Sequence, residues 1–261
     1  MPVDTLDGMS LTGRRSPRVE VFADEHALAE SLARRIADLV AASPRLVLGL
    51  PTGRTPLALY RELSALHAQG ADFSRVTTFN LDEFLGIPGT HPGSYRSFME
   101  QHLFRNVNVR PENRHLLDGS ALDSEAECAR YEGEIARAGG IDLMVLGIGT
   151  NGHIGFNEPA RTLESRTHRV TLKPETRRSN ATLFGGDPSN VPPEALSMGM
   201  ATILHSRAIV LLATGSSKAS CVERVVHGPL TTELPASFLQ LHDDVDIMLD
   251  ATAAAQLRSD R

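Results

Sequence analysis

The sequence predicts an α/β protein: a single domain with a Rossmann-like, open, mostly parallel sheet and helices on both faces. Short apolar segments that suit buried strands alternate along the chain with longer segments of helical apolar periodicity. The clearest strand, residues 143–148, is an unbroken apolar run, which is typical of a parallel strand covered on both faces. Glycine-containing turns follow this strand and two others, as expected where strand ends meet a ligand.

The first helix is bounded by recognisable start and stop residues. Residues 19–22 are predicted to be a strand, Asp24 to cap the helix that follows, and Pro44 to end it. Residues 45–50 form the second predicted strand. The apolar positions that share one face of this helix are Ala27, Leu28, Leu32, Ile36, Leu39 and Val40.

The turn PTGRTP at residues 51–56 is a candidate anion site. Thr55 is a suitable cap and Pro56 suits the first turn of a helix. Free backbone N–H groups, the positive end of the helix dipole and the hydroxyls of Thr52 and Thr55 would together bind a phosphate. An ordinary connection that contains Gly53 explains the same residues equally well. The turn matches neither the P-loop nor the dinucleotide pattern, which argues against nucleoside triphosphates and NAD.

Two adjacent acids, Asp82 and Glu83, follow the third predicted strand at residues 76–81. A carboxylate at a strand end beside a second reactive loop is where a general base would lie. The solvated start of a helix is the other interpretation of such a pair. Residues 94–104 are predicted to form the next helix.

The remaining elements follow from capping and apolar patterns. Ser124 and Glu127 form a capping-box pattern that opens a helix, and Gly139-Gly140 ends it before the central strand. This arrangement predicts a right-handed crossover between parallel strands. Residues 235–242 and 245–249 are predicted to close the fold as a helical turn and a last strand.

A loop of glycines and polar side chains follows the central strand, between residues 149 and 158. It contains Asn151, His153 and Glu158. An imidazole between an amide and a carboxylate suits a general acid or base near neutral pH. A turn histidine that is hydrogen-bonded to the backbone is the simpler interpretation.

A second glycine turn resembles the first. Residues 209–213 are predicted to be a buried strand, and residues 214–218 lead from it into a helix with Lys218 placed to neutralise an anion. The alternative is a solvated helix lysine. Residues 159–193 are the least regular part of the chain and are interpreted as a lid or as a plain surface excursion.

Composition excludes several classes of function. The chain has 261 residues, 41% of them hydrophobic, and a net charge of −6, which argues against nucleic-acid or anionic-membrane partners. Cys128 and Cys221 match no metal or redox spacing, so a reducing, cytoplasmic setting is expected.

Residues 1–17 are interpreted as a disordered leader, and residues 18–261 as the domain. A homo-oligomer is the default expectation.

Four segments together resemble the glucosamine-6-phosphate deaminase (isomerase) family over nearly the whole chain, from about Val19 to Asp250. They are LGLPTGRTP at 48–56, FNLDEFLGIP at 79–88, GTNGHIGFNEP at 149–159 and PASFLQLH at 235–242. The resemblance implies conversion of an amino sugar phosphate to a keto sugar phosphate and ammonia, with no metal or organic cofactor.

The resemblance also implies roles for particular residues. His153 would assist ring opening, with Asn151 and Glu158 orienting it, and Asp82 would carry a proton from carbon 2 to carbon 1. The phosphate would be bound by the backbone of Thr52, Gly53, Arg54 and Thr55 and by Lys218.

The chain departs from the family pattern at Thr182, where the family usually has an arginine that binds the phosphate. Arg54, Arg177 or Arg178 would have to compensate. The alternatives are therefore a deaminase for the galactosamine epimer or a related amino sugar, and a non-catalytic sugar-phosphate sensor. A sensor is disfavoured because the sequence has no helix-turn-helix segment and no basic stripe.

Overall fold

A computed structural model describes residues 17–257. The predicted leader, residues 1–17, lies outside the described residues except for Pro17. None of the helices in the described range has the length and the apolar content that crossing a bilayer requires.

Strands and helices alternate along the chain as predicted. The strands are β1 (Arg18–Phe22), β2 (Val47–Leu50), β3 (Thr77–Asn80), β4 (Asp82–Phe84), β5 (Arg114–His115), β6 (Leu143–Gly147), β7 (His168–Thr171), β8 (Glu194–Ser197), β9 (Ala208–Ala213) and β10 (Val245–Asp250). The α-helices are α1 (Glu25–Ala42), α2 (Pro56–Ala68), α3 (Tyr95–Met99), α4 (Ser124–Arg137), α5 (Pro174–Asn180), α6 (Met200–Leu204) and α7 (Ala219–His227). Short 3-10 helices span Pro111–Asn113, Ala181–Phe184, Pro188–Asn190, Ser216–Lys218 and Pro235–Leu241, and a π-helical turn over Glu100–Phe104 continues α3.

Seven strands form one parallel sheet in the order β1-β10-β9-β6-β2-β3-β5. The apolar strand β6 lies in the middle, and its residues Leu143 to Leu146 are all buried. The prediction of an open, mostly parallel sheet is confirmed.

Helices cover both faces of this sheet. On one face, α1, α2 and α3 share a core with Leu143 and Val145. On the other face, α4, α6 and α7 share a core with Met144 and Leu146. Successive residues of β6 therefore point into two separate cores, which is why every position of this strand is apolar.

A second, antiparallel sheet of three strands, in the order β4-β8-β7, was not expected from the sequence. It begins at Asp82, two residues after the end of β3, and Asp82 pairs there with Ser197. Its strands are three or four residues long and come from distant parts of the chain, so no periodic pattern marks them. An aromatic cluster packs beside it, in which Phe84 lies 4.8 Å from Tyr95 and 5.6 Å from Phe156 between ring centroids.

The prediction that Thr55 caps α2 is wrong. Thr55 precedes the helix but makes no side-chain capping hydrogen bond. Its backbone is already helical, with φ −57° and ψ −44°, whereas a capping side chain requires extended backbone. The hydroxyl of Thr55 is therefore not used to cap α2.

The predicted capping box of Ser124 and Glu127 is also wrong. Asp123 caps α4 by accepting hydrogen bonds from the N–H groups of Glu125 and Ala126, each at 3.0 Å. Glu127 instead accepts from the N–H of Asp118 at 2.7 Å. Asp123, one residue before Ser124, is the cap in place of the serine because its carboxylate accepts two hydrogen bonds at the positive end of the helix.

Candidate active site

The predicted site residues all follow four neighbouring strands of the parallel sheet, β9, β6, β2 and β3. The turn with Thr52 follows β2, Asp82 follows β3, the His153 loop follows β6 and Lys218 follows β9. Because parallel strands end at the same edge of a sheet, these residues lie along one edge.

Asp82 has the environment of a proton-transferring group. It is 7% exposed, and its Oδ1 atom has no hydrogen-bond partner among the residues that the structure describes. Burial, and then the charge of Glu83, raise the pKa of Asp82 to about 8. Such a carboxyl exchanges its proton close to neutral pH, and its unpaired oxygen is available to a ligand.

Glu83 has a structural role instead. Its Oε1 atom accepts hydrogen bonds from the N–H groups of Phe84 and Tyr95, and its Oε2 atom from that of Arg96, each at 2.9 Å. Burial raises the pKa of Glu83 to about 7, although these three bonds act in the opposite direction. The carboxylate therefore holds the start of α3, and Asp82 is the member of the acidic pair that remains for chemistry.

The loop after β6 folds back on itself around Gly149. The N–H of Gly149 donates to the carbonyl of His153, and the N–H of Gly152 donates to the carbonyl of Gly149, both at 3.0 Å. The imidazole of His153 lies so close to Gly149 that an added Cβ would be 2.4 Å from its Cε1 atom. Gly152 has a φ of +85°, which strains any other residue. These two glycines determine where the imidazole lies.

Asn151 connects His153 to Glu158. Its Oδ1 atom accepts from the N–H of His153 at 3.2 Å, and its Nδ2 atom donates to Oε2 of Glu158 at 2.9 Å. The Nδ1 atom of His153 lies 3.8 Å from the same Oε2, which is beyond hydrogen-bond length, and it has no partner in the described part of the chain.

Glu158 is held in its ionised form. Burial acts to raise its pKa, but His153, Thr176 and Asn151 outweigh this effect and lower the pKa to about 2. A carboxylate in this state stabilises positive charge on the neighbouring imidazole.

The Asp82 carboxylate and the His153 loop meet at Gly155. An added Cβ on Gly155 would lie 3.6 Å from Oδ2 of Asp82 and 3.0 Å from Oγ of Ser197. Oγ of Ser197 accepts from the N–H of Phe156 at 3.1 Å, so the small sheet binds the loop directly. A carboxyl that follows β3 thus lies against the loop that carries the imidazole after β6.

The closing helical turn Pro235–Leu241 and helix α7 support the loop. The N–H of Ala236 donates to the carbonyl of Gly152 at 2.9 Å, and an added Cβ on Gly152 would lie 2.2 Å from Cδ1 of Leu234. The thiol of Cys221, on α7, donates to the carbonyl of Gly149 at 3.5 Å. Residues that were predicted only as fold elements therefore keep the loop in place.

Two cations lie at the glycine turns. Burial lowers the pKa of Lys218; Cys221 acts in the opposite direction, and the charge of Arg54 adds to the lowering. Within residues 17–257, the side chains of Lys218 and Arg54 form no hydrogen bond and no ion pair with a carboxylate. Two neighbouring cations without a counter-ion suit an anionic ligand, and the start of α2 adds its helix dipole.

The other two arginines considered for this role are engaged elsewhere. The guanidinium of Arg177 donates to the carbonyl of Val191 at 3.0 Å, and Arg178 pairs with Glu175 at 2.8 Å. Thr182 is exposed on the short helix Ala181–Phe184. Among the arginines considered, Arg54 is thus the one whose guanidinium has no hydrogen-bond or ion-pair partner in the described part of the chain.

Sequence reasoning missed three residues around this site. The hydroxyl of Thr176 donates to Oε1 of Glu158, and the hydroxyl of Tyr95 donates to Oδ1 of Asn180 at 3.2 Å. Asn157 fixes the loop by donating to the carbonyls of Ile154 and Met198. Thr176 falls in the irregular segment 159–193 and Tyr95 in a predicted helix, and no pattern in the sequence marks either residue. Asn157 was visible as a polar loop residue without a role.

Comparisons with a family model and with individual known proteins indicate one and the same protein family. A family model described as glucosamine-6-phosphate isomerases/6-phosphogluconolactonase matches residues 23–248. Glucosamine-6-phosphate deaminase 1 of Giardia intestinalis is 52% identical, over 85% of this chain and 84% of its own. Glucosamine-6-phosphate deaminase 2 of Bacillus subtilis is 48% identical, over 86% of this chain and 91% of its own.

Solved structures show the same fold. A glucosamine-6-phosphate deaminase described as monomeric superposes with a TM-score of 0.88 at 42% identity, covering 92% of this chain and 99% of that one. The 6-phosphogluconolactonase of Trypanosoma cruzi superposes with a TM-score of 0.75 at 22% identity, covering 95% of this chain and 100% of its own. The second match shows the shared fold alone.

Proposed function

The chain belongs to the family of glucosamine-6-phosphate isomerases and 6-phosphogluconolactonases, and we propose that it is a glucosamine-6-phosphate deaminase. In this reaction glucosamine 6-phosphate and water give fructose 6-phosphate and ammonia. The relatives that share about half of the sequence are named deaminases, whereas the similarity to lactonases extends to the fold only.

One observation supports this activity most directly: the carboxyl of Asp82 lies against the loop that carries His153 and Glu158. Two separate proton transfers on one small substrate require two proton-transferring groups, here a carboxyl and an imidazole, and no strong nucleophile. An anion site on the neighbouring glycine turns completes the requirements for a phosphorylated sugar.

In the first step that we propose, His153 opens the sugar ring. The imidazole takes the proton of the anomeric hydroxyl and delivers a proton to the ring oxygen, which leaves an open-chain aldehyde. Ionised Glu158 stabilises the positive charge that the imidazole carries between the two transfers. Asn151 forms hydrogen bonds with both Glu158 and His153 and so fixes their positions relative to each other.

In the second step, Asp82 moves a proton from carbon 2 to carbon 1. It takes the proton from carbon 2 while a proton of the substrate's ammonium group passes to the carbonyl oxygen at carbon 1, which gives an enolamine. Return of the first proton to carbon 1 leaves a protonated imine at carbon 2. Water adds to this carbon and ammonia leaves, so that a ketone remains. A carboxyl with a pKa of about 8 is basic enough to take this proton and acidic enough to return it.

We propose that the phosphate is bound by the backbone of residues 52–55 and by Lys218, with Arg54 in place of the family arginine that is absent at Thr182. Support comes from the two uncompensated cations and from the ion pair and hydrogen bonds that occupy Arg178 and Arg177. A guanidinium on the glycine turn can form the charge-assisted hydrogen bonds that an arginine at 182 would otherwise supply.

Replacing Lys218 by methionine is expected to raise the KM for glucosamine 6-phosphate about 10- to 100-fold, because a charge-assisted hydrogen bond to the phosphate is lost. The kcat is expected to change less than about threefold, since Lys218 is not placed at the reacting carbons. Steady-state ammonia release measures both parameters.

The matched control is Arg110→Met, which removes the same charge from an exposed position. Its KM should equal that of the unaltered enzyme. An unchanged KM in the Lys218 variant would show that the phosphate lies elsewhere.

The proposed function is tested by incubating the purified protein with glucosamine 6-phosphate and measuring fructose 6-phosphate and ammonia in equal amounts. The galactosamine epimer is the second candidate substrate because Thr182 alters the phosphate site, and the ratio of kcat/KM for the two epimers decides between them. Tight binding without turnover of every amino sugar phosphate would instead support a sensor.

A cellular location and an oligomeric state are also proposed. A cytoplasmic location is supported by two cysteines that are both free and buried. A homo-oligomer is proposed from the general prevalence of symmetric assemblies, although the similar solved structure is described as monomeric. Sedimentation equilibrium decides the assembly.

A further inference from the structure

We propose that Thr176 is a positioning residue for the deamination: its hydroxyl occupies one oxygen of Glu158 and so directs the other oxygen to Asn151 and His153. This inference rests on the proposed function, in which Glu158 acts on the imidazole. Thr176 lies outside every segment that carries the family resemblance.

The two oxygens of Glu158 have different partners. Oε1 accepts from the hydroxyl of Thr176, while Oε2 accepts from Asn151 at 2.9 Å and lies 3.8 Å from Nδ1 of His153. Glu158 is 7% exposed and Thr176 is 3% exposed, so water does not readily replace the hydroxyl. Without this donor, the carboxylate would rotate to satisfy its unpaired oxygen, and its alignment with the imidazole would be lost.

Helix α5, which carries Thr176, is held in position by hydrogen bonds near both of its ends. Nζ of Lys173, just before the helix, donates to the carbonyl of Pro159, next to Glu158 in the chain. At the other end, Nδ2 of Asn180 donates to the carbonyl of Thr176 at 2.9 Å, and Oδ1 of Asn180 accepts from Tyr95. The hydroxyl of Thr176 is thus presented from a fixed backbone.

Tyr95 links α5 to the anion turn. Burial raises the pKa of Tyr95 well above its usual value, Asp82 adds to this effect, and a hydrogen bond from Thr52 acts against it. The phenol therefore stays protonated and remains a donor to Asn180. The hydroxyl of Tyr95 donates to the side chain of Asn180, and Asn180 donates to the main-chain carbonyl of Thr176, so Tyr95 connects the neighbourhood of the proposed phosphate turn to the helix that binds Glu158.

The test compares Thr176→Val, which removes the hydroxyl at nearly constant volume, with Thr176→Ser, which keeps it. In Thr176→Val the kcat for glucosamine 6-phosphate is expected to fall about 10- to 100-fold, with KM within about threefold of the unaltered enzyme. Thr176→Ser is expected to retain at least about a third of the kcat. The ring ¹⁵N resonances of His153 in the free enzyme should move in the valine variant and stay in place in the serine variant.

The matched control is Ser179→Ala. Ser179 lies on the same helix, and its hydroxyl donates to the carbonyl of Thr176 rather than to Glu158. Its kcat and its His153 resonances are expected to equal those of the unaltered enzyme. If Thr176→Val does not fold, Thr176→Ala takes its place.

Two results would overturn the proposal: a kcat of the valine variant within about threefold of the unaltered enzyme, or equal losses in the serine and valine variants. Failure of the proposed function is a separate result, since then the unaltered protein itself releases no ammonia. The His153 resonances test the positioning role even in that case.

Discussion

Asp82→Asn is expected to lower ammonia release from glucosamine 6-phosphate at least about 1000-fold, because an amide cannot take the proton from carbon 2. The substitution keeps the size of the side chain, and the anion turns are untouched. Substrate binding should therefore persist, with a Kd within about threefold of that of the unaltered enzyme. A coupled ammonia assay measures the first quantity and isothermal titration calorimetry the second.

Asp38→Asn is the matched control, since it makes the same replacement of a carboxyl by an amide at an exposed position on α1 and should leave kcat unchanged. A kcat in Asp82→Asn above about a tenth of the unaltered value would exclude Asp82 as the general base.

The same variant is expected to be more stable than the unaltered enzyme at alkaline pH. The pKa of Asp82 is about 8 in the folded protein and near 3.8 when exposed, so the folded state holds one more proton between these values. Stability of the unaltered enzyme therefore falls as the pH rises through this window, and asparagine does not contribute to that fall. At pH 8 the variant should unfold with a free energy higher by on the order of 2 kcal/mol, measured by urea unfolding at pH 5 and pH 8. An equal difference at both pH values would contradict the shifted pKa.

Gly149→Ala is expected to lower kcat about 100-fold while the protein remains folded. The new Cβ would lie 2.4 Å from Cε1 and 2.5 Å from Nδ1 of His153, so the imidazole must move. A displacement of about 1 Å of a proton-transferring group costs about two orders of magnitude in rate. Steady-state kinetics and thermal unfolding together measure the effect.

Gly147→Ala is the control, because a Cβ added there meets no atom within 4 Å. Gly147 is the last residue of β6 and Gly149 follows it by two residues. A comparable loss of kcat in the two variants would therefore mean that backbone freedom, and not the imidazole, is responsible.

The main sheet could be predicted because each of its strands and covering helices is marked by a pattern of residues that are adjacent in the sequence. The apolar run of β6 predicts a strand covered on both faces, and the adjacent helical patterns supply the layers that cover it. The glycine turns after β2, β6 and β9 also predicted the edge where Lys218 and His153 lie. Parallel topology then places these turns side by side without further information.

The rest could not be predicted because it depends on contacts between distant residues or on small energy differences. The pairing of Asp82 with Ser197 joins two short segments that have no periodic pattern. The hydrogen bond from Thr176 to Glu158 depends on where α5 lies against the loop. The choice of Asp123 over Ser124 as the cap of α4 is a difference of less than about 1 kcal/mol between two good capping residues.

The small antiparallel sheet has a consequence for synthesis of the chain on the ribosome. A nascent chain that has just completed β6 already contains Asp82, but the strand that pairs with Asp82, β8, has not yet been translated. Strand β9, which pairs with β6 on the side away from β2, has not been translated at this point either. Such non-local pairing forms late. The emerging polypeptide should therefore be inert toward sugar phosphates until its last strands have left the exit tunnel.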